Sequence, residues 1–175
     1  GSKSTISVKE FYKPWNSVAT LKEIDQILQK ISKIEYKTDF DIHAEKILLQ
    51  KNKLIESNQK TYRDFNLSND HLIHGDYIIP NVFFDENETV SFVFDWEKTE
   101  YSSRFFVLFR SLIQCTMFDL DRSKWYLDAY LGIYPASKKD LENGIDAYSL
   151  DQAHSLWIED EHYVKGNTRA DELLE

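Results

Sequence analysis

Residues 74–97, HGDYIIPNVFFDENETVSFVFDWE, gather His74, Asp76, Asn81 and Asp95 around two short apolar runs. A carboxylate beside a glycine, as in Gly75-Asp76, can approach a hydroxyl without a bulky neighbour crowding it. An amide five residues on, Asn81, can return to the same space, and Asp95 ends the apolar run that follows. Hard oxygen ligands from two or three such side chains, completed by water and phosphate, are what Mg²⁺ prefers. The implied chemistry is metal-assisted work at a phosphate. Asp and Asn are equally the residues that turns and caps select, so a purely structural role stands beside the chemical one.

The elements that must position these residues can be read from apolar spacing. HLIH, NVFF and VSFVF are short, aromatic and β-branched, and predict three strands from His71 onward. Asp85–Thr89, rich in turn formers, should close a hairpin between residues 82–84 and 90–94. Before this island, Leu21, Ile24, Ile27 or Leu28 and Ile31 predict an amphipathic helix capped by Ser17 or Thr20. A second helix is expected from about Asp41, fading near Tyr62. After the island, RFFVLFRSLIQCTMF and SKWYLDAYLG predict two helices, the latter ending at Gly132, and Ser137 to about Val164 predicts one or two more. The fold class is therefore α+β and mostly helical, with a small β insert around the candidate site.

Composition narrows the partners. The chain has 175 residues, a formal net charge of −9 and 42% hydrophobic residues, enough for a core. Its acids concentrate in residues 140–175, so nucleic acid is not an expected partner, and a cationic one is favoured slightly. No run approaches the roughly 20 apolar residues that span a bilayer, so no membrane is expected either. Cys115 is the one cysteine, expected as a free buried thiol, and it fits a cytoplasmic setting. Gly1-Ser2 reads as a cloning remnant. His154 and His162 lie eight apart on a predicted helix without a third ligand, and are expected at the surface or the core edge rather than on zinc.

The order H-x-D-x-x-x-x-N, hairpin, second Asp resembles the catalytic loop and metal-binding turn of the protein-kinase-like fold. With its surroundings, HGD, then NVFFD, then DWE, the stretch is similar to the small-molecule kinases of the aminoglycoside phosphotransferase and choline kinase-like family. The resemblance implies Asp76 as catalytic base, Asn81 and Asp95 as Mg²⁺ ligands, His74 as support for the loop and Glu97 as an acceptor-side or more remote contact. It implies ATP as phosphoryl donor and a small hydroxyl- or amine-bearing acceptor.

Two departures qualify what it implies. Val107 stands where the family often carries an acidic residue that ties the following helix to the loop. No glycine lies between Gly1 and Gly75, and the lysines there sit in helical patterns, so the glycine-rich nucleotide loop and strand lysine are lacking. Residues 3–175 thus resemble the C-terminal lobe alone, with the N-terminal nucleotide lobe outside this sequence and little or no kinase activity expected of it in isolation. The alternative is a kinase-like binding or regulatory module without catalysis, and beyond that a plain helical domain.

Overall fold

The computed structural model describes residues 15–58, 64 and 71–173, which fall into two compact units. The architecture is α+β and mostly helical.

One unit holds residues 71–148. Its strands form two separate antiparallel pairs rather than one three-stranded insert. Strand β1 (His71–Ile73) pairs with a strand the apolar pattern did not predict, which we number β4 (Glu100–Ser102). Between them lies the expected hairpin, β2 (Val82–Phe84) with β3 (Val90–Val93), in the register Val82↔Val93 and Phe83↔Phe92. Asp85 closes it: its carboxylate accepts from Asn87 and Thr89 N–H, both at 2.9 Å. This is the self-bonding that makes Asp a turn residue.

Helix α3 (Arg104–Thr116), capped by Ser103, buries Phe105, Leu108, Phe109 and Leu112. Met117 and Phe118, expected inside it, instead adopt left-handed φ of 49° and 60° and turn the chain. Asp119 then caps α4 (Leu120–Ile133), which starts earlier than SKWYLDAYLG suggested and runs through Gly132 without stopping. The tail yields two helices, α5 (Lys138–His154) and α6 (Trp157–Tyr163). Gly144 of α5 lies so near α3 that an added Cβ would stand 2.8 Å from Phe105 Cβ. Cys115 is free but half-buried rather than buried, 3.9 Å from Ser111 Oγ.

The other unit holds residues 15–58 and 149–173. Helix α1 (Ser17–Ile31) is capped by Asn16, whose side chain accepts from Ala19 N–H at 3.1 Å. The expected cap Ser17 turns instead to His154 Nε2. Thr38 caps α2 (Asp39–Ser57) reciprocally with Asp41, so this helix begins two residues earlier than its apolar period showed. The expected fade near Tyr62 lies outside the described residues. Ile24, Ile27, Ile31, Leu48, Ile55, Ala153 and Leu156 share one core. At its edge Lys51 reaches Glu159, which is 1% exposed, at 2.8 Å. His162 stacks on Phe40 and bonds Asp171, so it serves packing. Among the described residues no helix is long and apolar enough to cross a membrane.

Candidate active site

The site is built where the chain leaves β1. His74 is buried, and Gly75 turns the backbone at φ +78°, a conformation that costs a residue without Cβ nothing. Gly75 is required a second time for space: a Cβ there would stand 2.1 Å from Lys98 O. The residues after Asp95 are thereby pressed against the loop that carries Asp76.

His74 acts as the staple between the two segments. Its Nδ1 accepts from Asp76 N–H at 3.3 Å, which leaves the proton on Nε2 to be donated to Phe94 O. Trp96 meets the imidazole edge-on, with centroids 4.6 Å apart.

Asn81 ends a 3₁₀ turn, Ile79–Asn81, and both its side chain and its carbonyl are bound. Its Nδ2 donates to Asp76 O at 2.9 Å, and its own carbonyl accepts from Phe94 N–H at 2.9 Å. Because the amide nitrogen is committed, Oδ1 is left as an acceptor without a partner among the described residues. Asp95 follows Phe94 directly and holds the left-handed conformation φ 60°, ψ 60°. Asp tolerates this region better than most residues, yet it remains a sparsely populated one. The bonds on Phe94 and the packing of Trp96 impose it from both sides. The Asp95 carboxylate is exposed and has no hydrogen bond or ion pair among the described residues. Glu97 is likewise exposed, with no bond to the other four.

Asp76 has the opposite surroundings. It is 7% exposed, and each carboxylate oxygen meets a different cation: Oδ2 accepts from Lys98 Nζ at 2.7 Å and Oδ1 from an Arg110 guanidinium nitrogen at 2.9 Å. Burial alone would push the carboxyl up, but the Lys98 hydrogen bond and the Arg110 charge outweigh it and hold the group below the ordinary carboxylate range. Asp76 is therefore ionised throughout the neutral range. Glu100, cross-strand from Ile73, is pushed up by burial against the opposing charge of Arg110.

Lys98, Glu100 and Arg110 were not singled out by sequence reasoning. Arg110 did leave a signal, as the one cation inside the apolar FVLFRSLIQ run, where a charge needs a partner. It also answers the question that Val107 raised. Val107 is half-buried and apolar, and α3 is tied to the loop bearing Asp76 one turn later, by Arg110 to Asp76.

Asn81 Oδ1 and the Asp95 carboxylate are the two hard oxygen donors that could hold a cation. Among the described residues no group of three or more His, Cys, Asp or Glu could do so. Mg²⁺ fits the smaller set, since it is commonly held by one or two protein oxygens, with waters and substrate phosphates completing six. No family model, curated protein or solved structure matches the chain.

Proposed function

We propose that residues 74–98 are the catalytic and metal-binding half of an ATP-dependent phosphotransferase acting on a small-molecule hydroxyl. In fold this would be the C-terminal lobe of the kinase-like class, resembling the aminoglycoside phosphotransferase and choline kinase-like enzymes. One observation carries the reading. The loop bearing Asp76 and Asn81 is interlocked with the turn bearing Asp95 through His74, Asn81 and the Gly75–Lys98 contact. Such a brace holds one carboxylate buried and leaves two oxygen donors unpaired among the described residues.

In this reading Asp76 accepts a hydrogen bond from the acceptor hydroxyl and orients it. Held ionised by two cations, it is a weak base, so it takes the proton late, after the bond to phosphorus has begun to form and the hydroxyl has become more acidic. That timing suits a loose transition state, in which positioning and charge stabilisation supply most of the rate. Asn81 Oδ1 and Asp95 would hold Mg²⁺, which when bound neutralises charge on the donor phosphates. His74 keeps the loop in register. Exposed Glu97 lends this side an acidic character that favours a cationic acceptor such as an amino alcohol or aminosugar. The donor clamp belongs to the N-terminal lobe, so the chain by itself should turn over little ATP. A cytoplasmic setting fits the free Cys115 thiol.

The test is Asp76→Asn in a chain that includes the nucleotide lobe, which should abolish transfer while the fold is kept. An unchanged rate removes Asp76 from the chemistry. The second reading, a kinase-like module that binds or regulates without catalysis, is favoured by the saturation of Asp76, which Lys98 and Arg110 would also justify as a purely structural keystone. It shares the loop destabilisation by Asp76→Asn and differs in predicting that no transfer accompanies either form.

A further inference from the structure

We propose that Lys98 is a phosphate-contacting residue, bridging the buried Asp76 carboxylate to an anionic phosphoryl group at the mouth of the site. The inference rests on the phosphotransferase reading and adds a residue that the motif does not contain. Three features carry it. The ammonium has three donors, and Asp76 Oδ2 takes one at 2.7 Å. The Lys98 side chain is 58% exposed while the Asp76 side chain is 11% exposed, so the ammonium is the outward-facing end of the pair. The remaining donors therefore face solvent directly above the carboxylate that would orient the acceptor.

The third feature is the backbone. Lys98 O sits where Gly75 would carry a Cβ, so the turn is seated against the loop to within a distance that only glycine permits. A lysine on a free surface segment needs no such seating. Arg110 differs: it comes from α3, is 39% exposed and has Glu100 beside it as well as Asp76, so its charge is already opposed twice. A carboxylate, an ammonium and a phosphoryl oxygen in a row alternate in sign, so Lys98 can hold the anion without releasing Asp76. It would offset the repulsion between the base and the transferring group, which otherwise face each other with like charge.

Inorganic pyrophosphate, titrated by calorimetry or ³¹P NMR, is a direct probe, because a lysine contact requires no metal. In EDTA the wild-type chain should bind it, Lys98→Ala should weaken binding roughly tenfold, as for a charge-assisted hydrogen bond, and Lys98→Arg should retain most of it. Lys124, 73% exposed and ion-paired to Asp128 on α4, is the control for unspecific charge, and Lys124→Ala should change nothing. No binding by the wild type, equal binding by Lys98→Ala, or equal loss in both alanine variants overturns the assignment. A wild-type-like NMR spectrum for Lys98→Ala guards against misfolding, and Lys98→Gln provides a second, less disruptive variant with the same expected loss. The reading beneath it is tested separately by adding Mg²⁺, which should raise affinity in the wild type and not in Asp95→Asn. Absence of that increment in the wild type, or its survival in Asp95→Asn, refutes the metal site and leaves the EDTA result to decide Lys98.

Discussion

Replacing Asp76 by Asn tests whether the carboxylate is a structural hub as well as a chemical group. Asn keeps the shape and one acceptor oxygen but removes the charge that Lys98 and Arg110 meet at 2.7 and 2.9 Å. Two charge-assisted hydrogen bonds would be worth about 1.5–3 kcal/mol each if buried. Here the cations are 58% and 39% exposed and recover much of their hydration when released, so about 0.5–1 kcal/mol each is the appropriate scale. The expected loss is about 1–2 kcal/mol, a five- to thirtyfold rise in opening of the loop. Amide exchange at Asp76, Asn81 and Phe94 N–H reads this opening directly. The pH dependence gives the sign. The folded carboxyl lies below its ordinary value of 3.8, so its contribution is fully present above about pH 4 and is lost as pH falls through the folded value. The gap between wild type and Asp76→Asn should therefore be constant from pH 5 to 8 and shrink below pH 4. A gap that is absent at pH 7, or that persists undiminished at pH 2, refutes the reasoning.

Other perturbations follow from the same contacts. Gly75→Ala combines a φ of +78° with a 2.1 Å approach to a backbone oxygen. It should cost more than about 2 kcal/mol and displace the Lys98 turn, visible as lost protection at Phe94 and Thr99 N–H. In the helical unit, Lys51→Met leaves Glu159, 1% exposed, without its cation and should destabilise that unit by about 3–5 kcal/mol in urea unfolding. Adding Glu159→Leu should restore most of the loss, because the buried charge is then gone.

What the sequence revealed of the site was what lies close together in it. His74, Gly75, Asp76 and Asn81 fall within eight residues, so their types and spacing show in a local pattern, and the hairpin that returns Asp95 is marked by its own turn residues. The contacts that tune Asp76 come from 22 and 34 residues away, and no local pattern pairs Lys98 or Arg110 with it. Strand β4 escaped notice for a related reason: Glu-Tyr-Ser has no apolar alternation, and its pairing is set by the distant strand β1, as in Leu72↔Tyr101. Helix periods were legible wherever one face is buried, as in α1, and their ends were not. Asn16, Thr38 and Asp119 begin helices through side-chain bonds that precede the first apolar residue. Met117 and Phe118 look like helix by hydropathy and are the turn.

The most direct test of the central claim is where a divalent cation goes. Mn²⁺ at substoichiometric level, added to the ¹⁵N-labelled chain as a paramagnetic stand-in for Mg²⁺, should broaden Asn81 Nδ2–H, Asp95 N–H and Trp96 N–H first. Excess Mg²⁺ should reverse the broadening, and Asp95→Asn should abolish it. Broadening that starts instead in the acidic stretch of residues 140–175, with Asn81 and Asp95 unaffected, would contradict the account.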